Sequence, residues 1–202
     1  MTIRLLLAED QELLRSALAA LLALEADFEV VASVSRGDEV VQAARQSRAD
    51  IALLDIEMPG IDGLAAAAVL GQEVPSCLAL ILTTFGRPGY LRRAMESGAR
   101  GFVVKDAPIE QLAEAIRRVA AGERVVDPAL AVATLEHGTS PLSGRERDVL
   151  KAARLGATVS EIARTLFLSE GTVRNYLSAA IAKTGTRNRV EAVRTAEEHG
   201  WL

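Results

Sequence analysis

The 202-residue sequence contains one cysteine, six prolines and only 3% aromatic residues. A lone Cys77 cannot close an intrachain disulfide, which excludes a disulfide-stapled secreted scaffold and suits a reducing compartment. It sits between Val74-Pro75-Ser76 and the apolar run Leu78–Leu82, the place of a small packed hydrophobe at the mouth of a buried strand rather than of a reactive thiol. Long apolar runs are missing too. Ala17–Leu24 is the longest, far short of the roughly 18 residues that a membrane span requires. Met1-Thr2-Ile3-Arg4 leads directly into a strand-like run and lacks the plan of a signal peptide. These absences predict a soluble, cytoplasmic protein with no membrane insertion. Excess charge is small: 23 basic against 27 acidic residues leave a net −4, which taken whole speaks weakly against nucleic acid. Half of the residues are hydrophobic, ample for a packed core, and the length admits one large domain or two small ones.

Two rhythms divide the chain. Over residues 1–121, short apolar runs (Ile3–Ala8, Glu29–Val34, Ile51–Leu54, Leu78–Leu82, Gly101–Val104) alternate with helical patterns at Glu12–Glu25, Gly37–Ser47, Gly63–Gln72, Pro88–Ser97 and Pro108–Ala121. Leu14, Leu18, Leu21 and Leu22 share one face of the first helix, and Pro88 and Pro108 take the first-turn position that proline favours. Short runs bounded by Asp, Gly and Pro suit strands buried on both faces. Five strand–helix units in alternation predict an α/β, doubly wound, five-stranded parallel sheet of flavodoxin-like order 2-1-3-4-5. Residues 122–140 read as a linker with a short helix possible at Asp127–Glu136. Residues 141–202 read as four helices. Ser143 and Glu146 form a capping box for the first, and Ser160 caps the second. The third runs from Glu170 to Lys183, and the fourth from Arg189 to His199, before Gly200.

Charge follows the same division. Residues 1–121 hold 12 basic and 17 acidic groups, residues 122–202 hold 11 and 10, and Arg164–Arg189 carries five cations against the single acid Glu170. The net −4 is therefore an average over two halves of different charge, and the basic surplus near the C-terminus leaves nucleic acid open as a partner.

In a doubly wound sheet, ligands bind beyond the carboxyl ends of the strands. The residues there are Glu9 and Asp10 after strand 1, Asp55 after strand 3, Thr83 after strand 4 and Lys105 after strand 5. Strands 1 and 3 are neighbours, which brings three carboxylates together. Such a cluster raises its own pKa values unless a cation intervenes, and oxygen donors with room for water and a phosphoryl group describe a Mg²⁺ site. One carboxylate could act as nucleophile toward phosphorus, with Lys105 and Thr83 on the phosphoryl oxygens. The plain alternative is a set of loop-initiating or helix-capping acids.

The pieces Ala8-Glu9-Asp10, Asp55-Ile56-Glu57-Met58-Pro59-Gly60, Thr83-Thr84, Gly98-Ala99-Arg100-Gly101 and Lys105 resemble the receiver domain of two-component response regulators. The resemblance implies that Asp55 accepts phosphate from a sensor histidine kinase. It implies Mg²⁺ on Asp10, Asp55 and the backbone carbonyl of Glu57, with Glu9 close by through water, and a switch pair of Thr83 and Phe102. Core packing is the alternative for Phe102. Lys105-Asp106 departs from the Lys-Pro of many receivers, which bears on the backbone isomer there.

In the third C-terminal helix, Val173, Leu177 and Ile181 repeat at steps of four and should face a core, so Arg174, Asn175 and Ser178 project outward. Arg and Asn suit bidentate reading of guanine and adenine edges. Thr172, Lys183, Arg187 and Arg189 suit phosphate contacts, and the turn at Phe167-Leu168-Ser169 fits a helix-turn-helix. A four-helix bundle with a solvated basic face has the same periodicity. Leu142–Leu150, Glu161-Ile162-Ala163, Leu168–Val173 and Asn188–Val193 resemble the LuxR-type DNA-binding domain, and receiver plus this domain is similar to the NarL/FixJ family. That implies double-stranded promoter DNA as partner and a homodimer formed on phosphorylation. Val190, Val193 and Arg194 of the last helix are candidates for the dimer interface. Tyr176 stands where many relatives carry His. Thr83–Tyr90, Gly171–Tyr176 and Glu198–Leu202 resemble regulators of membrane-lipid desaturation, which implies a membrane histidine kinase. Two alternatives remain: a phosphorylation-independent DNA-binding regulator, and an Asp-nucleophile phosphohydrolase with Glu57 as its second acid.

Overall fold

The computed structural model describes residues 2–84, 88–126, 131, 140–154 and 156–202. The chain divides into two compact units that part near residue 132. The first is built on parallel strands β1 (Ile3–Ala8), β2 (Phe28–Val34), β3 (Ile51–Asp55), β4 (Leu78–Thr83), β5 (Gly101–Val104) and β6 (Val125–Val126), in the order β2-β1-β3-β4-β5-β6. The expected order holds, and a sixth strand is added. β6 pairs Gly101 with Val125 and Phe102 with Val126, beyond residue 121 where the sheet was expected to end. Two valines are too short a run to show a period. In place they cover the backbone groups that would make β5 an open edge. The rest of the expected linker and the helix at Asp127–Glu136 lie almost wholly outside the described residues.

Helices α1 (Glu12–Leu22), α2 (Val40–Ser47), α3 (Gly63–Glu73), α4 (Pro88–Glu96) and α5 (Ile109–Ala120) connect the strands. Gly37–Glu39, expected to open the second helix, is a 3-10 turn. Pro108 is the residue before α5 rather than in its first turn. Strands β1, β3 and β4 are apolar on both sides because helices cover both sides. Leu5, Leu7, Ile51, Leu53, Leu80 and Leu82 face Leu22 of α1 and Leu112, Ile116 and Val119 of α5. The alternate residues Leu6, Leu54, Ile81 and Phe102 are buried on the opposite face. On α1 only Leu22 is fully buried; Leu21, expected on the same face, is 42% exposed. No helix among the described residues is long and apolar enough to cross a membrane.

Cys77 is buried at the start of β4. Burial, with Asp50 adding to it, pushes its thiol up to about 12, so almost no thiolate exists near neutrality. Alkylation at pH 8 should therefore follow unfolding, with a rate that rises with denaturant. Rapid stoichiometric labelling of the native protein would show that the strand mouth opens.

The second unit holds α6 (Gly144–Ala153), α7 (Val159–Leu166), α8 (Glu170–Thr184) and α9 (Arg189–Glu198). Ser143 and Glu146 form the expected capping box on α6. The cap of α7 is not Ser160, which lies within the helix, but Thr158, reciprocally bonded with Glu161. Thr158 has the three-residue spacing to a Glu that such a box requires. Val149, Leu150, Ile162, Val173, Ala180, Ala192 and Ala196 form the fully buried centre of this unit.

Candidate functional site

Parallel register fixes the carboxyl ends of β1, β3 and β4 side by side. Ala8 pairs with Leu54 and Asp55 with Leu82, so the residues that follow β1 stand beside the end of β3. The carboxylates of Glu9, Asp10 and Asp55 come within 4.8 Å of one another. Glu9 and Asp55 are buried and Asp10 is exposed. Lys105, just past β5, reaches across: its Nζ lies 2.6 Å from Glu9 Oε2 and 2.9 Å from Asp55 Oδ1. The Lys105 N–H donates to the Thr83 carbonyl at 2.7 Å, which fixes where that side chain starts. Arg15 of α1, which sequence reasoning missed, donates from its guanidinium to the Glu9 carbonyl at 2.5 Å and anchors the end of β1. Among the described residues no peptide bond is cis, so Lys105-Asp106 is trans.

Glycine is required on the far side of the site. The N–H of Gly63 donates to the Ile56 carbonyl, and a Cβ on Gly63 would stand 1.9 Å from the Asp55 carbonyl oxygen. The chain therefore turns tightly under Asp55 into α3, whose first turn is capped by Asp62.

Burial, the largest influence, pushes the carboxyls of Glu9 and Asp55 above their ordinary values, and Lys105 opposes the rise on both. For Lys105, burial pulls downward, but the two carboxylates together hold it above its ordinary value. Two buried carboxylates against one ammonium, with a third acid at the rim and all donors oxygen, fit a small hard divalent cation. The Glu57 side chain is exposed and outside the cluster, so only its backbone could take part.

Thr83 and Phe102 lie on one face of the sheet. Ile81 pairs with Phe102 and Thr83 with Val104, which makes Thr83 and Phe102 diagonal neighbours across β4 and β5. Both are buried.

In the helical unit, Val173 and Leu177 are buried and Ile181 is half-buried, while Arg174, Asn175 and Ser178 are exposed together on α8. Ser169 caps α8 through the Thr172 N–H at 3.1 Å, and its hydroxyl lies 2.8 Å from that of Thr172. Arg174 pairs with Glu170 and Arg187 with Glu191. Both arginines are exposed, and surface pairs of this kind typically contribute about 0–1 kcal/mol.

Three of the expected residues make contacts within their own unit. Lys183, expected at a phosphate, meets both oxygens of buried Glu146, at 2.8 and 2.9 Å, while its side chain stays 42% exposed. Arg189 donates to the Ala157 carbonyl and fastens α9 to the loop before α7. Val193, expected at a dimer interface, is 8% exposed and belongs to the core of its own unit, because it shares the inward face with Ala192 and Ala196. Val190 is 71% exposed and Arg194 is exposed. Tyr176 is half-buried against the same core.

Phe167, in the turn between α7 and α8, has φ +54° and is 95% exposed. A left-handed backbone costs a non-glycine residue about 1–2 kcal/mol. Offset by the greater freedom of glycine when unfolded, Phe167→Gly should stabilise the helical unit by about 0.5–1 kcal/mol. A thermal melt that falls instead would mean that the ring has a packing role.

An acid cluster with an ion-paired lysine at the strand ends, followed in the same chain by a helix-turn-helix unit, defines a signal-receiving regulator with a DNA-binding output. Comparisons with known proteins specify it further. Residues 5–117 match the response regulator receiver domain, and residues 140–196 match the luxR family of bacterial regulatory proteins. The chain is similar to the uncharacterized transcriptional regulatory protein YvfU of Bacillus subtilis, 44% identical over 99% of this chain and 100% of that protein. It is 43% identical to the transcriptional regulatory protein DesR of the same organism, over 99% of each. Among solved structures, the response regulator ChrA of a heme-sensing two-component system matches with a TM-score of 0.60 and 31% identity, over 100% of this chain and 99% of that one. The chain belongs to the two-component response regulators that carry a receiver domain and a LuxR-type DNA-binding domain.

Proposed function

We propose that Asp55 is the phosphoacceptor of a cytoplasmic transcription regulator, that a sensor histidine kinase is its donor, and that phosphorylation drives homodimerisation and sequence-specific binding to promoter DNA. The observation that carries the proposal is the convergence of Glu9, Asp10 and Asp55 within 4.8 Å with Lys105 on two of them. Asp55 would supply the attacking carboxylate oxygen. Asp10, Asp55 and the Glu57 backbone carbonyl would hold Mg²⁺, with Glu9 nearby; when bound, the ion would offset negative charge on the transferred group. Lys105 would bind a phosphoryl oxygen, and the Thr83 hydroxyl would move toward it, with Phe102 adjusting on the same face. A phosphohydrolase built on the same sheet would need the Glu57 carboxylate beside the nucleophile, and that side chain is exposed. The resemblance of Thr83–Tyr90, Gly171–Tyr176 and Glu198–Leu202 to regulators of membrane-lipid desaturation extends the proposal to membrane-lipid genes as targets.

The test is phosphorylation with phosphoramidate in Mg²⁺, followed by sedimentation and DNA binding. The expected result is a doubled mass and tighter binding, since pairing two half-site readers supplies effective concentration. No change in either would leave a regulator that acts without phosphorylation.

Arg174, Asn175 and Ser178 would read base edges, Thr172 and Arg187 would contact phosphates, and Val190 with Arg194 would face the second helical unit on DNA. Arg174→Ala should lower discrimination between a preferred and a random duplex by about 1–3 kcal/mol. Unchanged discrimination would remove Arg174 from the reading face.

A further inference from the structure

Glu146 is the one acid in the helical unit that is buried among the described residues. Its Oε2 accepts from the Ser143 N–H at 2.6 Å, closing the capping box of α6, and both of its oxygens face Lys183 Nζ. Lys183 lies in the last turn of α8, 37 residues away in sequence. The pair therefore joins the positive end of one helix dipole to the negative end of another, with the side-chain charges placed to favour both. Two further ties secure the same end of α8: Thr184 Oγ1 donates to the Ala180 carbonyl, and Gly185 closes the helix in a left-handed turn. The N-terminal end of α8 has its Ser169 cap and the exposed Arg174–Glu170 pair.

The reading residues sit nine to five positions before Lys183. At 1.5 Å per residue they lie about 8–14 Å along α8 from that anchor, so a tilt of about 10° at the C-terminal end displaces them by about 1.4–2.4 Å. That shift is enough to break a bidentate contact with a base edge, whereas contacts with phosphates tolerate it better.

We propose that the Glu146–Lys183 pair positions the reading helix: it clamps the C-terminal end of α8 to the start of α6 and sets the pose in which Arg174, Asn175 and Ser178 meet the bases. Lys183 is then a positioning residue and not a phosphate contact. The inference rests on the reading of α8 as the helix that enters the major groove.

The experiment uses the full chain and two probes: a duplex selected by the wild type from a random-sequence pool, and an unselected random duplex of equal length. Lys183→Gln should weaken binding to the selected duplex by about tenfold. It should leave affinity for the random duplex and the salt dependence of binding unchanged. Glu146→Gln, which keeps an oxygen acceptor for Ser143, should give the same loss. The double variant should be no worse than either single one, as expected of two groups that act through each other. Lys183→Arg should recover most of the affinity. Circular dichroism melts confirm that each variant is folded at the assay temperature, and Lys183→Arg and Glu146→Gln carry the test if Lys183→Gln does not fold. Two results would overturn the proposal. One is an equal loss on both duplexes with the salt slope reduced by about one, the signature of a lost phosphate contact; the other is wild-type affinity in Glu146→Gln. Arg174→Ala separates the two layers. If it leaves discrimination intact, α8 is not the reader and the positioning role falls with it. If it abolishes discrimination while Lys183→Gln gives the phosphate signature, the reader stands and only the positioning role falls.

Discussion

Asp55→Asn should abolish uptake of a phosphoryl group from phosphoramidate, read as intact-protein mass, while the receiver unit stays folded. The amide keeps the volume of the side chain and its place at the end of β3, but its oxygen is too weak a nucleophile to form the acyl phosphate. Loss of phosphorylation without loss of fold is what distinguishes a nucleophile from a structural acid. The same substitution should raise stability in Mg²⁺-free buffer near neutral pH. The folded protein holds the Asp55 carboxyl above its ordinary value, mainly through burial, so at neutral pH ionised Asp55 is a cost that the unfolded chain does not bear. An acid whose folded pKa is raised leaves the native state less stable as pH climbs from its unfolded toward its folded value. The advantage of Asn over Asp should therefore be largest above that window and fade as pH falls through it to the ordinary carboxylate range. Relief of Glu9, which Asp55 also pushes upward, acts in the same direction. Phosphate uptake by Asp55→Asn would move the acceptor to another acid of the cluster. A melting temperature that falls at neutral pH would make Asp55 a net stabiliser through Lys105.

Much of this site is legible in the sequence. The apolar runs of β1, β3 and β4 gave the strands, alternation gave the parallel order, and the order alone brought Glu9, Asp10, Asp55 and Lys105 to one edge. Those inferences rest on short local patterns whose geometry is fixed by the sheet. The features that escaped depend on partners remote in sequence or on elements too short for a period. β6 is two valines, Val125 and Val126. Lys183 read as a free cation because its partner lies 37 residues upstream and Glu146 was already accounted for by its capping box. Val193 follows the same spacing as exposed neighbours, and only the placement of Ala192 and Ala196 turns it inward. Phe167 takes a left-handed backbone that its residue type does not announce. Thr158 was readable: its three-residue spacing to Glu161 is the same signal that identified Ser143.

Phe102→Ala should destabilise the receiver unit by about 3–5 kcal/mol, the range for deleting a fully buried aromatic ring. The ring is 1% exposed, and it lies in register with Ile81 on the interior strand β4 and with Val126 on β6. Neighbours on a paired sheet cannot collapse into the void without breaking register. That loss alone would not separate a core residue from a moving one, because both bury the ring. Phe102→Leu separates them. It keeps most of the apolar volume and should cost well under the alanine variant, about 1–2 kcal/mol, so the unit remains folded. If the ring couples phosphorylation to the receiver surface, Phe102→Leu should take up phosphate at Asp55 as the wild type does, yet fail to double in mass. The coupling would then reside in the ring's shape and in its diagonal position beside Thr83 rather than in the stability of the sheet. Dimerisation at the wild-type level in phosphorylated Phe102→Leu would return Phe102 to plain core packing. The signal leaving Asp55 would then have to travel through Thr83 and Lys105, whose backbones already meet at 2.7 Å between the ends of β4 and β5.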